Sequence, residues 1–565
     1  MTLSFRPQAI LAGTGLAFIM AVLLLAPGAS TFAPAPQHAE TYVEAMVGAP
    51  RFVNPLLATS DIDRDLTHLV YSGLTRVDAT GKLMPDMASR WEVSPDARVY
   101  TFTLEPDGRW HDNEFFTADD VLFTIEQLRR SDFPGDPMLA APWKEVKTAA
   151  PNRQTVVLTL PRPDATFLQH TTLGILPRHL WSDSKTGPLA SSELNRSPVG
   201  SGPWQYVRAA GTPVEVSGPS DAVEPTPALL SPGAEGVLLE PNPYAPRGDS
   251  SFSRIWFRLY PTFGAALTGF KMGEVHGLGH IPQEQLAEVE AVDGVQLHKQ
   301  NLARYTMLMF NVRSPLFDRT DTRQAFELAI DRRALVRESL QGLGEPLASL
   351  VLPHSWAFDS TLQGTGAYDP AKARQLLDTA GWKLGADGIR ARDGVTLTVV
   401  LAANADVPSN VAVAQQLSGF LKTVGVDVRL APVSREVLLR DYLGPRAFHM
   451  AVVGWEAEGA DPDIWRYWHS SQANVTGGIN FSGWSNPEAD KALDTGRITP
   501  YQSERALNYA TVQKAFATDV PAVILYTPLY VYATRAPATG VHLPSADLLN
   551  PAQRFDTIAD WSLQP

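Results

Sequence analysis

The chain of 565 residues contains no cysteine. Disulfide bonds, thiolate metal sites and cysteine nucleophiles are therefore excluded, and so is a lipid anchor attached through a thiol. The sequence also lacks HExxH, P-loop and GxSxG motifs, which are typical of zinc proteases, nucleotide hydrolases and α/β-hydrolases. The sequence therefore predicts no catalytic residue, no metal site and no cofactor.

The chain has fewer basic than acidic residues. The chain has 47 Lys and Arg residues against 60 Asp and Glu residues, and its net charge is -13. No basic patch is dense enough to collect phosphates, which argues against nucleic acid and against anionic membrane surfaces as partners. A chain of this length is too long to fold around a single hydrophobic core, so two or three domains are expected.

The N-terminus has the composition of a targeting segment. Arg6 precedes an apolar run from Ile10 to Ala26, and the next charged residue is Glu40. This arrangement predicts an export signal, which is either cleaved near Ser30 or retained as an anchor. Residues 1–39 are therefore interpreted as signal or anchor plus a Pro/Ala-rich spacer, and the protein is expected in the periplasm or at another extracytoplasmic site.

Hydrophobic periodicity predicts alternating strands and helices after residue 40. The predicted elements include strand 42–47, helix 61–70, strand 99–104, helix 117–130, strand 155–160, helix 322–340, helix 370–380, strand 396–401, helix 411–424, strand 426–430, helix 436–443, strand 450–453, helix 503–518 and strand 522–526. The β-α-β-α-β order from 396 to 453 implies an α/β fold with a largely parallel sheet. Residues 209–236 are rich in Pro, Gly, Ser and Ala and are interpreted as a loop insertion that is dispensable for binding.

The segment that follows Val453 is a candidate ligand site. The strand is expected to break at Gly454 into a loop that carries Trp455, Glu458 and several other acids. Loops at the ends of buried strands are where α/β sheets present groups to ligands. The loop offers carboxylates for a cation and an indole face, but no nucleophile–base pair, so it indicates binding rather than catalysis.

A set of short motifs gives the chain a family resemblance through their order and spacing. The motifs are Asn54-Pro55-Leu56, Tyr71-Ser72-Gly73-Leu74, PDMASRWEVS from Pro85, YTFTL from Tyr100, WHDN from Trp110, TADDV from Thr117, SPVGSGP from Ser197, AIDR from Ala329 and YDPAKA from Tyr368. Together they resemble the extracytoplasmic substrate-binding proteins of the peptide/nickel/opine class (family 5) of ABC importers, and the resemblance covers nearly everything after residue 40.

The resemblance implies a two-lobed periplasmic-binding-protein fold, type II-like, with an additional α+β domain on one lobe. Lobe one would comprise residues 40–73, 199–303 and 523–565, the extra domain 74–198, and lobe two 304–522. A monomer would enclose its ligand in the cleft between the lobes and deliver it to a membrane permease that an ATPase drives.

The resemblance also assigns candidate ligand-binding residues. Glu458 falls where dipeptide-binding members hold the Asp that accepts the ligand's amino terminus. Those members bind the peptide carboxylate with an Arg after the strand that matches 396–401, but this chain has Asn404 and Asp406 there and no cation. An oligopeptide, or a ligand with one cationic end and an uncharged tail, therefore fits better than a dipeptide. Trp455 either lines the pocket or packs the loop.

Other readings stay open at this point. Within the binding class, the rivals to a peptide are an oligosaccharide, an opine or a metal chelate. An exported hydrolase would need two cleft carboxylates with separated pKa values, for which the sequence shows no spacing. The Asp461-Pro462-Asp463 segment is expected to form a turn rather than to bind ligand.

Overall fold

The computed structural model describes residues 41–182, 188–207, 236–245, 252–362, 366–475 and 477–563. The predictions for the N-terminal signal and for 209–235 of the insertion lie outside the described residues.

Strands run through the whole described chain. They are β1 (Thr41–Val47), β2 (Thr75–Val77), β3 (Leu83–Pro85), β4 (Ala88–Val93), β5 (Val99–Leu104), β6 (Lys147–Asn152), β7 (Thr155–Thr159), β8 (Trp204–Val207), β9 (Gly236–Pro241), β10 (Arg254–Tyr260), β11 (Gly277–Leu278), β12 (Gln296–Asn301), β13 (Arg304–Phe310), β14 (Gly344–Pro346), β15 (Lys383–Leu384), β16 (Arg390–Arg392), β17 (Val395–Thr396), β18 (Thr398–Asn404), β19 (Asp427–Val433), β20 (Met450–Glu456), β21 (Ala522–Thr534), β22 (Ala538–Thr539) and β23 (Ser562–Leu563).

Helices alternate with these strands. The α-helices are α1 (Asp61–Val70), α2 (Ala118–Arg129), α3 (Pro137–Ala140), α4 (Arg178–Trp181), α5 (Phe263–Met272), α6 (Leu286–Glu290), α7 (Thr320–Leu328), α8 (Arg332–Ser339), α9 (Pro370–Thr379), α10 (Pro408–Lys422), α11 (Arg435–Val437), α12 (Trp465–Trp468), α13 (Pro487–Ile498) and α14 (Gln502–Asp519). A π-helix, Leu438–Leu443, continues α11, and the longest 3₁₀ segment is Pro551–Asp560.

One large mixed sheet organises the molecule. Its strand order is β19-β18-β20-β13-β21-β11-β1-β10-β9-β8, and β12 and β14 also pair with β21. The β18–β19 and β18–β20 pairs are parallel, as the β-α-β-α-β order predicts. The largely parallel sheet is nevertheless correct only locally, because β13 pairs antiparallel with both β20 and β21. A separate antiparallel sheet has the order β4-β5-β7-β6.

Two predicted boundaries are wrong. Strand β20 does not break at Gly454 but continues to Glu456, because β13 pairs with it as far as Arg304. The expected single helix over 322–340 is two helices, α7 and α8, since the Asp331 side chain accepts a hydrogen bond from the Ala334 N–H and caps a new helix.

Strand β21 joins the two halves of the large sheet. Its first residues, Ala522–Tyr526, pair with β13 or β14, and Leu529–Thr534 pair with β12. The chain also passes directly from β12 to β13 through Leu302 and Ala303. The chain thus passes between the two halves of the sheet at β21 and at Leu302–Ala303. We call this region, between β12 and β13, the crossing point.

The buried side chains fall into distinct clusters around this crossing. One large cluster combines side chains between residues 42 and 302 with side chains between 530 and 561. Residues 303–526 supply two further clusters, one on each face of β13, since Leu308 and Phe310 join one cluster while Tyr305 and Met307 join the other. The predicted domain boundaries themselves stay predictions.

Candidate functional site

Trp455 is fixed in place by the sheet. It lies on β20 directly opposite Tyr305 of β13, and the two rings stack with centroids 4.8 Å apart at an interplanar angle of 21°. The Trp455 side chain is buried, and its Nε1 donor has no hydrogen-bond partner within the described ranges. A buried donor without a partner is costly, so this N–H is a natural point of contact for a ligand acceptor.

A cleft opens beside Trp455 at the crossing point of the sheet. It has a volume of about 80 Å³, room for a few water molecules. Residues from five segments line it: Val77 and Gly81; Ala303; Leu350, Val351, Leu352, His354, Ser355 and Trp356; Trp455, Ala457, Gly459, Ala460, Asp461, Pro462 and Ile464; and Ala546, Asp547 and Leu549. Because these segments come from both sides of the crossing point, the cleft would widen if the two halves of the sheet moved apart.

An ion pair anchors the loop after β20 at the cleft. Both carboxylate oxygens of Asp461 accept hydrogen bonds from Arg505 of α14, at 2.5 and 2.7 Å. The Arg505 guanidinium also lies over the Trp356 ring, 5.1 Å from its centroid. Burial raises the pKa of Asp461, and Arg505 opposes that shift. Asp461 lines the cleft but is committed to holding the loop, in line with the structural role expected of this segment.

A second ion pair holds the far end of the same loop. Asp463 Oδ2 lies 3.2 Å from Arg497 Nε, and Asp164 Oδ2 lies 3.8 Å from Arg497 Nη2. Burial raises the pKa of Asp463 to about 6 against the attraction of Arg497. Arg497 therefore ties the loop to the segment that follows β7.

The cleft also contains a histidine–carboxylate pair. His354 Nδ1 lies 2.7 Å from Asp547 Oδ1, and both residues line the cleft. Trp356 is a further lining residue. This pair joins segments that are 193 residues apart in the chain, so local sequence carries no signal for it.

Glu458 lies on the loop between Ala457 and Gly459, which both line the cleft, but it is not itself a lining residue. Its side chain is 42% exposed, and its Oε1 lies 3.4 Å from Nη1 of Arg466 on α12. The carboxylate is thus available to solvent and shares its charge with a cation that the sequence pattern did not reveal.

Asn404 and Asp406 lie at the carboxyl end of β18, the strand next to β20. Asn404 Oδ1 accepts a hydrogen bond from the Asp406 N–H at 3.0 Å, and Asp406 Oδ2 accepts one from the Arg435 N–H at 2.8 Å. Neither residue lines the cleft. The structure therefore brings Trp455 to the cleft and Glu458 to its loop, and leaves Asn404 and Asp406 along the same sheet edge in a self-capped turn.

Comparison with known proteins identifies the family. The sequence profile described as bacterial extracellular solute-binding proteins, family 5 middle, matches residues 82–477. The chain belongs to this family. Among curated relatives of family 5, the oligopeptide-binding protein AppA of Bacillus subtilis is 25% identical over 501 residues, which cover 87% of each chain.

Solved structures agree with this family 5 assignment. NikZ from Campylobacter jejuni, in complex with Ni(L-His), has a TM-score of 0.67 at 25% identity and covers 92% of this chain and 99% of its own. HbpA2 from Haemophilus parasuis has a TM-score of 0.78 at 19% identity, covering 93% and 100%. Bacillus subtilis AppA in complex with a nonapeptide has a TM-score of 0.65 at 24% identity, covering 93% and 99%. The predicted two-lobed α/β binding-protein fold is confirmed.

Within the ranges described above, no helix is both long and apolar enough to cross a membrane. Over the same ranges, no group of three or more His, Asp or Glu side chains is arranged to hold a metal ion.

Proposed function

We propose that this family 5 protein is the extracytoplasmic solute-binding component of an ABC importer and that it captures a peptide, an oligopeptide rather than a dipeptide. The observation that carries the proposal is Trp455, a residue that lines the cleft at the crossing point of the sheet and whose buried indole N–H has no hydrogen-bond partner among the described residues. The protein binds without turnover, as a monomer, and passes its ligand to a membrane permease and its ATPase.

The chemistry of the cleft suits a peptide. A main-chain carbonyl would supply the acceptor that the Trp455 N–H lacks, and Trp356 adds an apolar surface to the cleft. Glu458 offers a carboxylate to the ligand's ammonium group on the same loop. One apolar surface, one indole N–H donor and one carboxylate would orient the amino-terminal end of a peptide.

The carboxyl-terminal end of the ligand is not fixed in the same way. Asp406 is acidic and already caps the Arg435 N–H, so the turn after β18 does not supply a carboxylate-binding cation of its own. Because no cation in this turn binds the ligand's carboxylate, peptides of different lengths could be accommodated. The relative AppA is named an oligopeptide-binding protein, which supports the longer ligand.

Ligand entry requires the cleft to open. A cavity of about 80 Å³ is smaller than any peptide, so the walls must separate by movement at the β12–β13 crossing. Hinge closure around a ligand is the ordinary motion of two-lobed binding proteins. Closure would remove water from around Trp455 and Glu458 and strengthen both contacts.

Native mass spectrometry of the protein purified from its host tests this function. We expect a mass increment that corresponds to peptides of three or more residues, and fragmentation that identifies them as peptides. Calorimetric titration of ligand-free protein with peptides of two to nine residues would then rank length. An oligosaccharide or opine increment, or tighter binding of dipeptides than of longer peptides, would contradict the proposal.

Trp455→Phe tests whether the unpartnered indole N–H of Trp455 contributes to peptide binding. The Phe ring retains the stack on Tyr305 but removes the N–H. We expect about a tenfold loss of peptide affinity, or about 1.4 kcal/mol, from one lost hydrogen bond. Asp406→Asn serves as the control, because Asp406 does not line the cleft, and its affinity should match the wild type.

A metal chelate is the second candidate, and His354 is the observation that favours it. A carboxylate bonded to one imidazole nitrogen, as Asp547 is to Nδ1, orients the other nitrogen toward a metal. The solved NikZ structure contains Ni(L-His). Titration with nickel and histidine separates the candidates, since a chelate binder would lose this binding in His354→Ala, whereas a peptide binder would show none in the wild type.

A further inference from the structure

A second cavity lies in the half of the sheet that contains β13 and β20, away from the peptide cleft. It has a volume of about 620 Å³, and its lining includes Arg313, Arg446, Gly477 and Phe481. Arg313 follows the end of β13, and Arg446 precedes the start of β20. Because the cleft adjoins the other ends of these two strands, the length of a seven-residue strand, about 20 Å, separates the two sites.

Two guanidinium groups face this cavity. Neither Arg313 nor Arg446 forms an ion pair with any residue in the described ranges, in a protein whose net charge is -13. Desolvation lowers the pKa of Arg446, and the positive charge of Arg313 lowers it further. The two cations thus repel each other, and an anion between them would relieve the repulsion.

The Arg446 side chain is incompletely satisfied. Its Nη groups reach main-chain carbonyls only over long distances: Nη2 lies 3.3 Å from Asn480 O and 3.4 Å from Gln472 O, and Nη1 lies 3.5 Å from Gly444 O. Its Nε is buried and has no hydrogen-bond partner among the described residues. A guanidinium that is partly withdrawn from water and lacks strong acceptors is suited to the fork-like binding of a carboxylate or phosphate.

Both arginines are held by rigid neighbours. The backbone of Arg446 is left-handed, with φ at 58°, and the buried Asn311 side chain donates to its carbonyl at 3.0 Å. Arg313 passes close over Gly483, where an added Cβ would lie 2.7 Å from Arg313 Nε, and its Nη2 donates to Asn474 Oδ1 at 2.8 Å. The two groups are therefore positioned before any ligand arrives.

We infer that this cavity binds a small organic oxyanion, with its phosphate or carboxylate between Arg313 and Arg446. The apolar side chains of the lining, which include Val475, Ile479 and Phe481, would contact the organic part of the anion. This site is independent of the peptide cleft and would make the protein a carrier of two ligands or a binding protein that responds to a second solute.

Calorimetric titration with phenyl phosphate, benzoate and inorganic phosphate tests the inference. We expect saturable binding of phenyl phosphate that is tighter than binding of inorganic phosphate, because the phenyl ring adds apolar contact. The benzoate arm decides whether a carboxylate serves as well as a phosphate. Absence of saturable binding of all three probes up to about 10 mM would overturn the site.

Substitutions then test whether the probe binds at this cavity. Arg313→Gln and Arg446→Gln should each weaken the probe at least tenfold, while peptide affinity at the cleft stays unchanged. Arg446→Lys, which keeps the charge but not the fork, should retain intermediate affinity. Arg429→Gln is the control, because that side chain is 72% exposed on β19 and does not line the cavity.

Arg313 is exposed, so Arg313→Gln tests the site even if Arg446→Gln fails to fold. Wild-type affinity for phenyl phosphate in Arg313→Gln would refute the assignment. An equal loss in Arg429→Gln would refute it too, because the effect would then reflect net charge alone.

Discussion

Two charged residues of the loop region, Glu458 and Arg466, determine how strongly the cleft attracts a cationic ligand group. Glu458 was predicted as the partner of a ligand ammonium, and the structure adds Arg466 within 3.4 Å of it. Arg466 therefore competes with any cationic ligand group for the same carboxylate. The exposure of Glu458 further reduces what a single ion pair contributes before the cleft closes.

We expect Glu458→Gln to weaken a peptide with a free amino terminus by about tenfold, or about 1.4 kcal/mol. Arg466→Gln should have the opposite effect and strengthen the same peptide, because it removes a competing cation. Titration with the peptide and with its N-acetylated form measures both changes. If the acetylated peptide lost as much affinity as the free one in Glu458→Gln, the ammonium assignment would be wrong.

A buried arginine that lines neither site is predicted to contribute to stability. Arg554 is 1% exposed and donates to Asp65 Oδ1 and Oδ2, at 2.8 and 2.6 Å, and to Glu44 Oε1 at 3.0 Å. Arg554→Met removes the guanidinium group from two buried carboxylates and should lower the free energy of unfolding by about 3–5 kcal/mol. Urea denaturation checks this, with the half-exposed Arg64→Gln as a control that should change it by less than about 0.5 kcal/mol.

At the scale of elements, caps decide where helices begin. Helix α9 starts at Pro370 after Asp369, whose side chain accepts from the Lys372 N–H at 2.9 Å, and Gly381 follows its end with φ at 90°. These features are the Pro and Gly signals that the sequence shows for this helix, so its position was predictable. The same kind of cap at Asp331 divides the segment that was predicted as one helix.

Asp369→Ala should therefore lower the free energy of unfolding by about 1 kcal/mol, because a helix loses its side-chain N-cap. Thermal or urea unfolding measures the change. Lys372→Ala on the same helix keeps the cap and should stay within about 0.5 kcal/mol of the wild type. Equal stability of Asp369→Ala and the wild type would show that tertiary contacts alone hold this helix.

At the scale of the whole molecule, a buried charge network links stability to pH. His280 lies 3.2 Å from both Asp61 Oδ2 and Asp65 Oδ2, close to Arg554. Burial by itself would lower the pKa of His280, but Asp65 and Asp61 outweigh it and raise the pKa to about 9. Arg554 and His280 in turn hold the pKa of Asp65 far below its usual range against the effect of burial.

The sign of the pH effect follows from the raised pKa of His280. The folded state binds the proton more tightly than the unfolded state, whose histidine pKa is about 6.5. The stabilisation is complete below pH 6.5 and is lost as pH rises through about 9. We expect the free energy of unfolding to fall by about 2 kcal/mol between pH 6.5 and pH 9.5. His280→Gln should remove most of this slope, and an unchanged slope would exclude His280 as its source.

Much of the architecture was predictable from local sequence. The motifs from Asn54 to Tyr368 identify family 5, and periodicity located α1, β5 and α9 to within a residue or so. Such features depend on neighbours within one turn or one strand. One prediction failed because a distant partner intervened: pairing with β13 carried β20 past Gly454 to Glu456. The other failed because a local cap at Asp331 was overlooked.

The sequence by itself determined the family, the α/β class and the presence of an acidic, aromatic loop after a buried strand. Only the tertiary structure decided which charges meet: Asp461 with Arg505, His354 with Asp547, and Arg313 beside Arg446. The physical reason is that an ion pair or a cavity depends on distances of a few ångströms in space. Residues that are 44 or 193 positions apart belong to no common helical or strand pattern, so the local sequence does not indicate that they are in contact.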